Sequence, residues 1–351
     1  MLINKQFSSV NTKVSAMKSK TLMDKDYINI MQLSSMEDVL DYLIDNTVYQ
    51  DVLWDLRGKE VNRNIIENRL FRYRETLIEK LMIYVDDKYK DLFKKFLLLY
   101  EIEDLKLIFK AIRGRINPQY IDTYLFSNSK YATIDFPRLL EQNTLTGILN
   151  SLKDTIYYRL IEPYYKELDD KFNFYLEMAL DKFYYHELME SIHKFPYSII
   201  NKYEEIFRNK IDLYNLEWIY RATKYFELSK DEILNFALDN GFKYDINRLQ
   251  KILRTFDPKN PQKSIKGSQY EFLFSPEYNM DLFMERRINR YIYYQTQKLY
   301  RSSILSFGKT ISFIELIEFE IKDIFTIIES KRYQMPANEV SKYLIRTIEV
   351  K

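Results

Sequence analysis

Apolar residues recur three and four positions apart along most of the chain, the spacing of one face of an α-helix. The pattern is clearest over Met36 to Tyr49, Ile66 to Val85, Leu92 to Ile112 and Phe313 to Ile328, and it predicts long helices there. Breakers gather in two stretches. The first runs from Arg113 to Pro137 and holds Gly114, Asn117-Pro118 and Ser127-Asn128-Ser129. The second runs from Asp257 to Ser268, with Pro258, Pro261 and Gly267, and Pro276 follows shortly after. Only 6 Gly and 8 Pro occur in 351 residues, which is sparse for a β-rich fold, so the expected class is all-α. The two interruptions divide the chain into three parts. These are expected as helical repeats over 1–120 (with an N-terminal segment), 121–256 and 257–351.

The parts share a motif. Glu101 to Ala111 aligns with Asp212 to Ala222, 111 residues later, and with Glu320 to Ser330, a further 108 on. The common form is an acid, Leu/Ile, any residue, Asp/Asn, Leu/Ile, two free positions, Ile, two free positions, Ala/Ser. Positions 2, 5, 8 and 9 make one apolar stripe of a helix. The small residue at position 11 (Ala111, Ala222 and Ser330) leaves room for another helix to approach. The side chain at position 4 (Asp104, Asn215 and Asp323) is then placed to accept a free backbone N–H at the end of that neighbour. These six residues are read as one structural joint used three times. Upstream, Glu67-x-x-Leu70, Glu177-x-x-Leu180 and Glu285-x-x-Ile288 recur at offsets of 110 and 108. Downstream, each copy leads to a basic residue, a break and a helix start: Arg113 before Asn117-Pro118, Lys224 before Ser229, and Lys331-Arg332 before Pro336.

Composition narrows the function. Lys and Arg total 53 against 51 Asp and Glu, a net charge of +2, which lacks the basic excess of a phosphate-gripping protein, so no nucleic-acid partner is expected. Without any cysteine there are no disulfides, thiolate nucleophiles or cysteine-held metals. No stretch is apolar enough to span a membrane, and the polar run Met1 to Lys20 does not read as a secretory signal. The 31 Tyr and 23 Phe are read as a helical core packed with large rings, some tyrosine hydroxyls reaching water.

Patterns that resemble catalytic motifs are each incomplete. Gly308-Lys309-Thr310 resembles the end of a P-loop, but Ser303 stands where its first glycine belongs. Asp86-Asp87 with Asp91, and Asp169-Asp170, share features with the aspartate motifs of all-α diphosphate enzymes, yet the first set aligns on one helix face only loosely and the second pair has no third acid. Glu190-x-x-His193 is half of a di-iron motif, and His186 and His193 are the only histidines. No catalytic, metal or cofactor site is assigned from these, and no small-molecule substrate.

The sequence also resembles a known family, the C subunit of the bacterial and archaeal V-type (A-type) ATPases, related to the d subunit of eukaryotic V-ATPase. The likeness lies in Val10 to Lys20 with Leu22 and Tyr27, in Leu40-x-x-Leu43 with Thr47-x-Tyr49, and in Glu318 to Val340 with Lys331-Arg332-Tyr333 and Pro336. It extends over essentially the whole chain. The resemblance implies three similar helical subdomains around a pseudo-threefold axis, forming a funnel-shaped socket. It implies a non-catalytic rotor part between the membrane proteolipid ring and the D and F subunits of the stalk, peripheral on the cytoplasmic face and transmitting torque for ATP-coupled proton or sodium transport. From residues alone, a helical-repeat adaptor unrelated to ATPases and an all-α Mg²⁺-dependent diphosphate enzyme stay open.

Overall fold

The computed structural model describes residues 7–117, 121–122, 124–126, 129–165, 172–226, 228–276 and 279–349. Among the described residues every regular element is helical and no strand occurs. Pro118, Ser127, Asn128, Asp169 and Asp170 lie outside them.

The chain forms two compact units, residues 51–191 and residues 1–50 with 192–351. In the first unit the long helices α5 (Arg63–Met82) and α6 (Asp87–Arg113) pack against each other. The short helices α7 (Phe136–Leu140), α8 (Leu145–Ser151) and α9 (Ile156–Tyr165) follow, and most of α10 (Phe172–His193) belongs here. Side-chain caps set the helix starts. Asn62 accepts from the Ile65 N–H, Asp135 from Arg138 and Thr144 from Gly147, satisfying N–H groups that a helix leaves open.

The second unit begins with α1 (Ser8–Lys18), α2 (Asp24–Gln32), α3 (Met36–Asn46) and, straddling the boundary, α4 (Gln50–Leu53). It resumes with α11 (Tyr197–Tyr225), α12 (Lys230–Asn235), α13 (Ile246–Thr255), α14 (Met280–Ser302), α15 (Phe307–Arg332) and α16 (Ala337–Tyr343). Its centre is α15, buried along its whole length from Phe307 to Lys331 because α1, α3, α11, α14 and α16 all pack on it. The burial takes in Glu315, Glu318, Glu320, Asp323 and Lys331 together with the apolar residues of the helix. Two capping boxes, Ser35 with Asp38 and Ser229 with Glu232, start α3 and α12.

Candidate functional site: the repeated buried joints

The position-4 side chains of the motif are wholly buried, and each takes hydrogen bonds from backbone 22 or 23 residues downstream. On α6, Asp104 Oδ1 accepts from the Phe126 N–H at 2.7 Å. On α11, Asn215 Oδ1 accepts from the Leu238 N–H at 2.7 Å while its amide donates to the Leu238 carbonyl at 2.8 Å. On α15, the two oxygens of Asp323 accept from Ile345 at 2.6 Å and Arg346 at 3.1 Å. In the second and third copies the gripped backbone lies just past a short helix, α12 or α16, at its C-terminal side. Arginines from the helix preceding the motif add to the grip. Arg72 donates to the Leu125 carbonyl at 2.9 Å, and Arg290, at the matching place in the third copy, donates to Leu344 and to Ile345 at 3.0 Å.

The small residues at position 11 are buried too. Ala111 faces the core of the first unit, and Ala222 sits in a cluster with Ile219, Ile233, Ala237, Leu249 and Leu253 that joins α11 to α12 and α13. Ser330 turns its hydroxyl back onto the Ile327 carbonyl at 2.6 Å. The apolar stripe between is closed to solvent in all three copies: Ile102, Leu105, Ile108 and Phe109; Leu213, Leu216, Ile219 and Tyr220; Ile321, Ile324, Ile327 and Ile328.

A second set of bonds was not read from the sequence. The acid at position 1 of each motif is buried, and each accepts from a tyrosine hydroxyl. Glu101 takes Tyr157, together with the N–H and hydroxyl of Thr133. Asp212 takes Tyr270 at 2.7 Å and the N–H groups of Lys243 at 2.6 Å and Tyr244 at 3.1 Å. Glu320 takes Tyr49 at 2.9 Å, with the Leu22 N–H also against it. Each acid therefore binds one phenol and one strip of backbone: Thr133 lies 32 residues after Glu101 and Lys243 lies 31 after Asp212, whereas Glu320 takes Leu22 from the start of the chain. The signal was present, since Tyr49, Tyr157 and Tyr270 recur at spacings of 108 and 113 residues, near the period of the motif.

Ionised carboxylates are costly in such surroundings unless donors surround them. Burial pushes Glu320 and Asp323 up to about 7, against the bonds from Tyr49 and from Ile345, which favour the charged forms. Asp212 is raised by burial as well. The phenols of Tyr157 and Tyr270 are raised by burial and then by the neighbouring acid, so they remain donors. Gly241 is required beside Asp212. A Cβ there would stand 2.2 Å from Asp212 Oδ1 and 2.5 Å from the Tyr244 carbonyl oxygen.

The residues of the incomplete catalytic patterns fall elsewhere. Gly308, Lys309 and Thr310 lie in the first turns of α15, where Lys309 Nζ donates to Ser15 Oγ at 2.9 Å and Thr310 is buried. Asp87 pairs with Lys90, while Asp91 accepts from the Ser191 hydroxyl at 3.0 Å, so the two acids have separate partners. His193 ends α10, 3.7 Å from Glu204. Among the described residues no three His, Cys, Asp or Glu side chains are placed to hold a metal ion. No described helix is long and apolar enough to cross a membrane.

Buried acids at matching positions of a recurring motif, each holding backbone and a phenol, are set in an all-α protein. Its family follows from a match across residues 10–343: the chain belongs to the ATP synthase (C/AC39) subunit family, the C subunit of the A-type and V-type ATPases. Among similar proteins is the A-type ATP synthase C subunit of Methanosphaera stadtmanae, 24% identical over 95% of this chain and 86% of the relative. That of Methanosarcina mazei is 25% identical over 88% and 83%. The Methanocaldococcus jannaschii protein of the same name is 21% identical over 97% and 86%.

Proposed function

We propose that the chain is the rotor spacer of an A-type or V-type ATPase, seated between the membrane proteolipid ring and the D and F subunits of the stalk. It transmits torque for ATP-coupled proton or sodium transport, carries no catalytic site or cofactor of its own, and works as a peripheral component on the cytoplasmic face of the membrane. Its motif-bearing segments, 1–120, 121–256 and 257–351, act as three similar subdomains in a pseudo-threefold arrangement, with Asp104, Ala111, Asn215, Ala222, Asp323 and Ser330 as their structural joints.

The observation that carries this reading is the recurrence of the same buried bonds at Asp104, Asn215 and Asp323 in a chain matched over nearly its full length by the family. A part that passes torque must resist shear between its copies. Buried hydrogen bonds fix one geometry more tightly than apolar contact alone, which tolerates sliding. Exposed large side chains at the turns between paired long helices, Ile83, Tyr197 and Ile304, offer apolar surface for partners to cover.

Reconstitution tests it. Membranes carrying the ring and the ATPase head are assembled with and without this chain, and ATP hydrolysis is measured beside ion uptake. Loss of uptake with hydrolysis retained is expected when the chain is omitted. Full coupling in its absence would overturn the proposal.

A further inference from the structure

The starts of α1, α11 and α15 converge at one end of the second unit. Phe307, the first residue of α15, stacks on Phe195 at 5.0 Å and meets Phe7 at 5.4 Å. Phe7 immediately precedes α1, and Phe195 lies two residues before α11. Asn11 Nδ2 donates to the Ser306 carbonyl at 3.0 Å and Lys309 Nζ to Ser15 Oγ at 2.9 Å, which fixes the turn between α14 and α15 against α1. Three apolar side chains stand out from this end. Ile304 is 79% exposed, Tyr197 74% and Leu305 37%. Leu305 is also held at φ 51°, a left-handed conformation that glycine or asparagine adopts at less cost. Folding gains little from a solvated isoleucine followed by a strained leucine.

The same end is one-sided in charge. No aspartate or glutamate occurs in 7–23, 191–203 or 286–314, the segments that build it. Lys202 lies in the first two turns of α11, and Lys298 and Arg301 in the last two of α14. All three are exposed, and no carboxylate of the described residues pairs with them. The starts of α1, α11 and α15 carry no acid in their first turns, so their backbone dipoles add to the positive potential. The opposite ends of these helices differ. There Lys224 pairs with Asp281 at 2.7 Å and Arg332 with Glu329 at 3.8 Å. A chain whose charges nearly balance overall thus gathers unpaired cations around exposed apolar side chains at one place.

We propose that this end docks on the headgroup surface of an anionic phospholipid bilayer. Lys202, Lys298 and Arg301 meet the phosphate groups, and Tyr197, Ile304 and Leu305 enter the boundary between headgroups and acyl chains. Charge complementarity selects this occupant. Anionic headgroups neutralise cations that the fold leaves unpaired, and the layer just beneath them takes up the apolar side chains at the same end. The surface names an occupant for Tyr197 and Ile304, and it follows from these side chains and not from the rotor assignment.

Co-sedimentation of the full chain with protein-free vesicles tests it. Vesicles of phosphatidylcholine mixed with phosphatidylglycerol should bind the chain at least about tenfold more tightly than phosphatidylcholine alone, and high salt should weaken that binding. Lys202→Glu combined with Arg301→Glu should lower the affinity at least about tenfold. Lys251→Glu combined with Arg332→Glu makes the same charge change at exposed residues elsewhere in the unit, and should leave affinity within about twofold of the wild type. The fluorescence added by Tyr197→Trp should shift to the blue on the anionic vesicles. Absence of binding, equal binding to both compositions, equal loss in the two double variants, an unshifted Tyr197→Trp signal, or capture only by vesicles carrying the proteolipid ring overturns the proposal. The wild-type comparison of the two compositions is decisive should a variant fold poorly. None of these outcomes alters the coupling assay, so the rotor reading stands or falls separately.

Discussion

The hydroxyl of Tyr49 donates to the carboxylate of Glu320 at 2.9 Å, joining the end of the chain's first helices to the middle of its most buried one. Removing that hydroxyl leaves Glu320 with one donor fewer in a dry site. Tyr49→Phe is expected to lower unfolding stability by about 1–2 kcal/mol, read as a drop in urea midpoint at constant slope. An unchanged midpoint would show that the bond contributes nothing beyond the ring's packing.

The joint at position 4 separates hydrogen bonding from charge, because nature uses Asn215 where the other copies use aspartate. Asp104→Asn keeps an acceptor for the Phe126 N–H and should cost less than about 1 kcal/mol. Asp104→Ala strands that N–H and should cost about 2–3 kcal/mol. Equal losses in the two variants would mean that the charge, not the bond, matters.

Ala222 is packed on all sides, so its smallness is testable. Ala222→Leu is expected to destabilise by about 1–3 kcal/mol through overpacking between α11, α12 and α13. Calorimetry showing an unshifted melting temperature would refute the close approach assigned to this position.

Gly241 and Gly308 should respond oppositely to alanine. Gly241→Ala drives a methyl into Asp212 and the Tyr244 carbonyl, and a loss of about 2 kcal/mol or more is expected. At Gly308 nothing stands closer than 3.4 Å to the added carbon, and the position is helical. Gly308→Ala should leave stability unchanged or raise it by up to about 1 kcal/mol. The same sign for both in chemical unfolding would contradict the local geometry.

Stability should also depend on pH through Glu320 and Asp323. Both are raised by burial to about 7 in the fold, above their ordinary 4.5 and 3.8. An acid raised in this way binds its proton more tightly when folded. Its stabilisation is present below the unfolded value and is lost as pH climbs through about 7. Glu320→Gln cannot titrate, so its stability relative to the wild type should rise between pH 5 and pH 8, by about 1 kcal/mol or more. A pH-independent difference would rule out titration of this group in that window.

Much of this was legible beforehand. The 3.6-residue spacing gave the long helices, and Ser229 with Glu232 gave the start of α12, because both are local rules that the sequence carries within a few residues. The recurrence of Asp104, Asn215 and Asp323 marked the motif, but not what each would hold, since Phe126, Leu238 and Ile345 contribute only backbone and any residue can do that. Tyr49, Tyr157 and Tyr270 were lost among 31 tyrosines and read as packing. Their role depends on contacts up to 271 residues away, which no local pattern encodes.

Divided at 1–120, 121–256 and 257–351, the sequence draws the tyrosine that serves each acid from another segment: Tyr157 serves Glu101, Tyr270 serves Asp212, and Tyr49 serves Glu320. A chain consisting of one copy would thus carry an unmet carboxylate and an idle phenol. Identical single-copy chains would mend each other by passing the phenol on, and the hand-over is complete when a third partner returns it to the first. This is the pairing rule of a cyclic homo-oligomer. The present sequence obeys that rule within a single polypeptide.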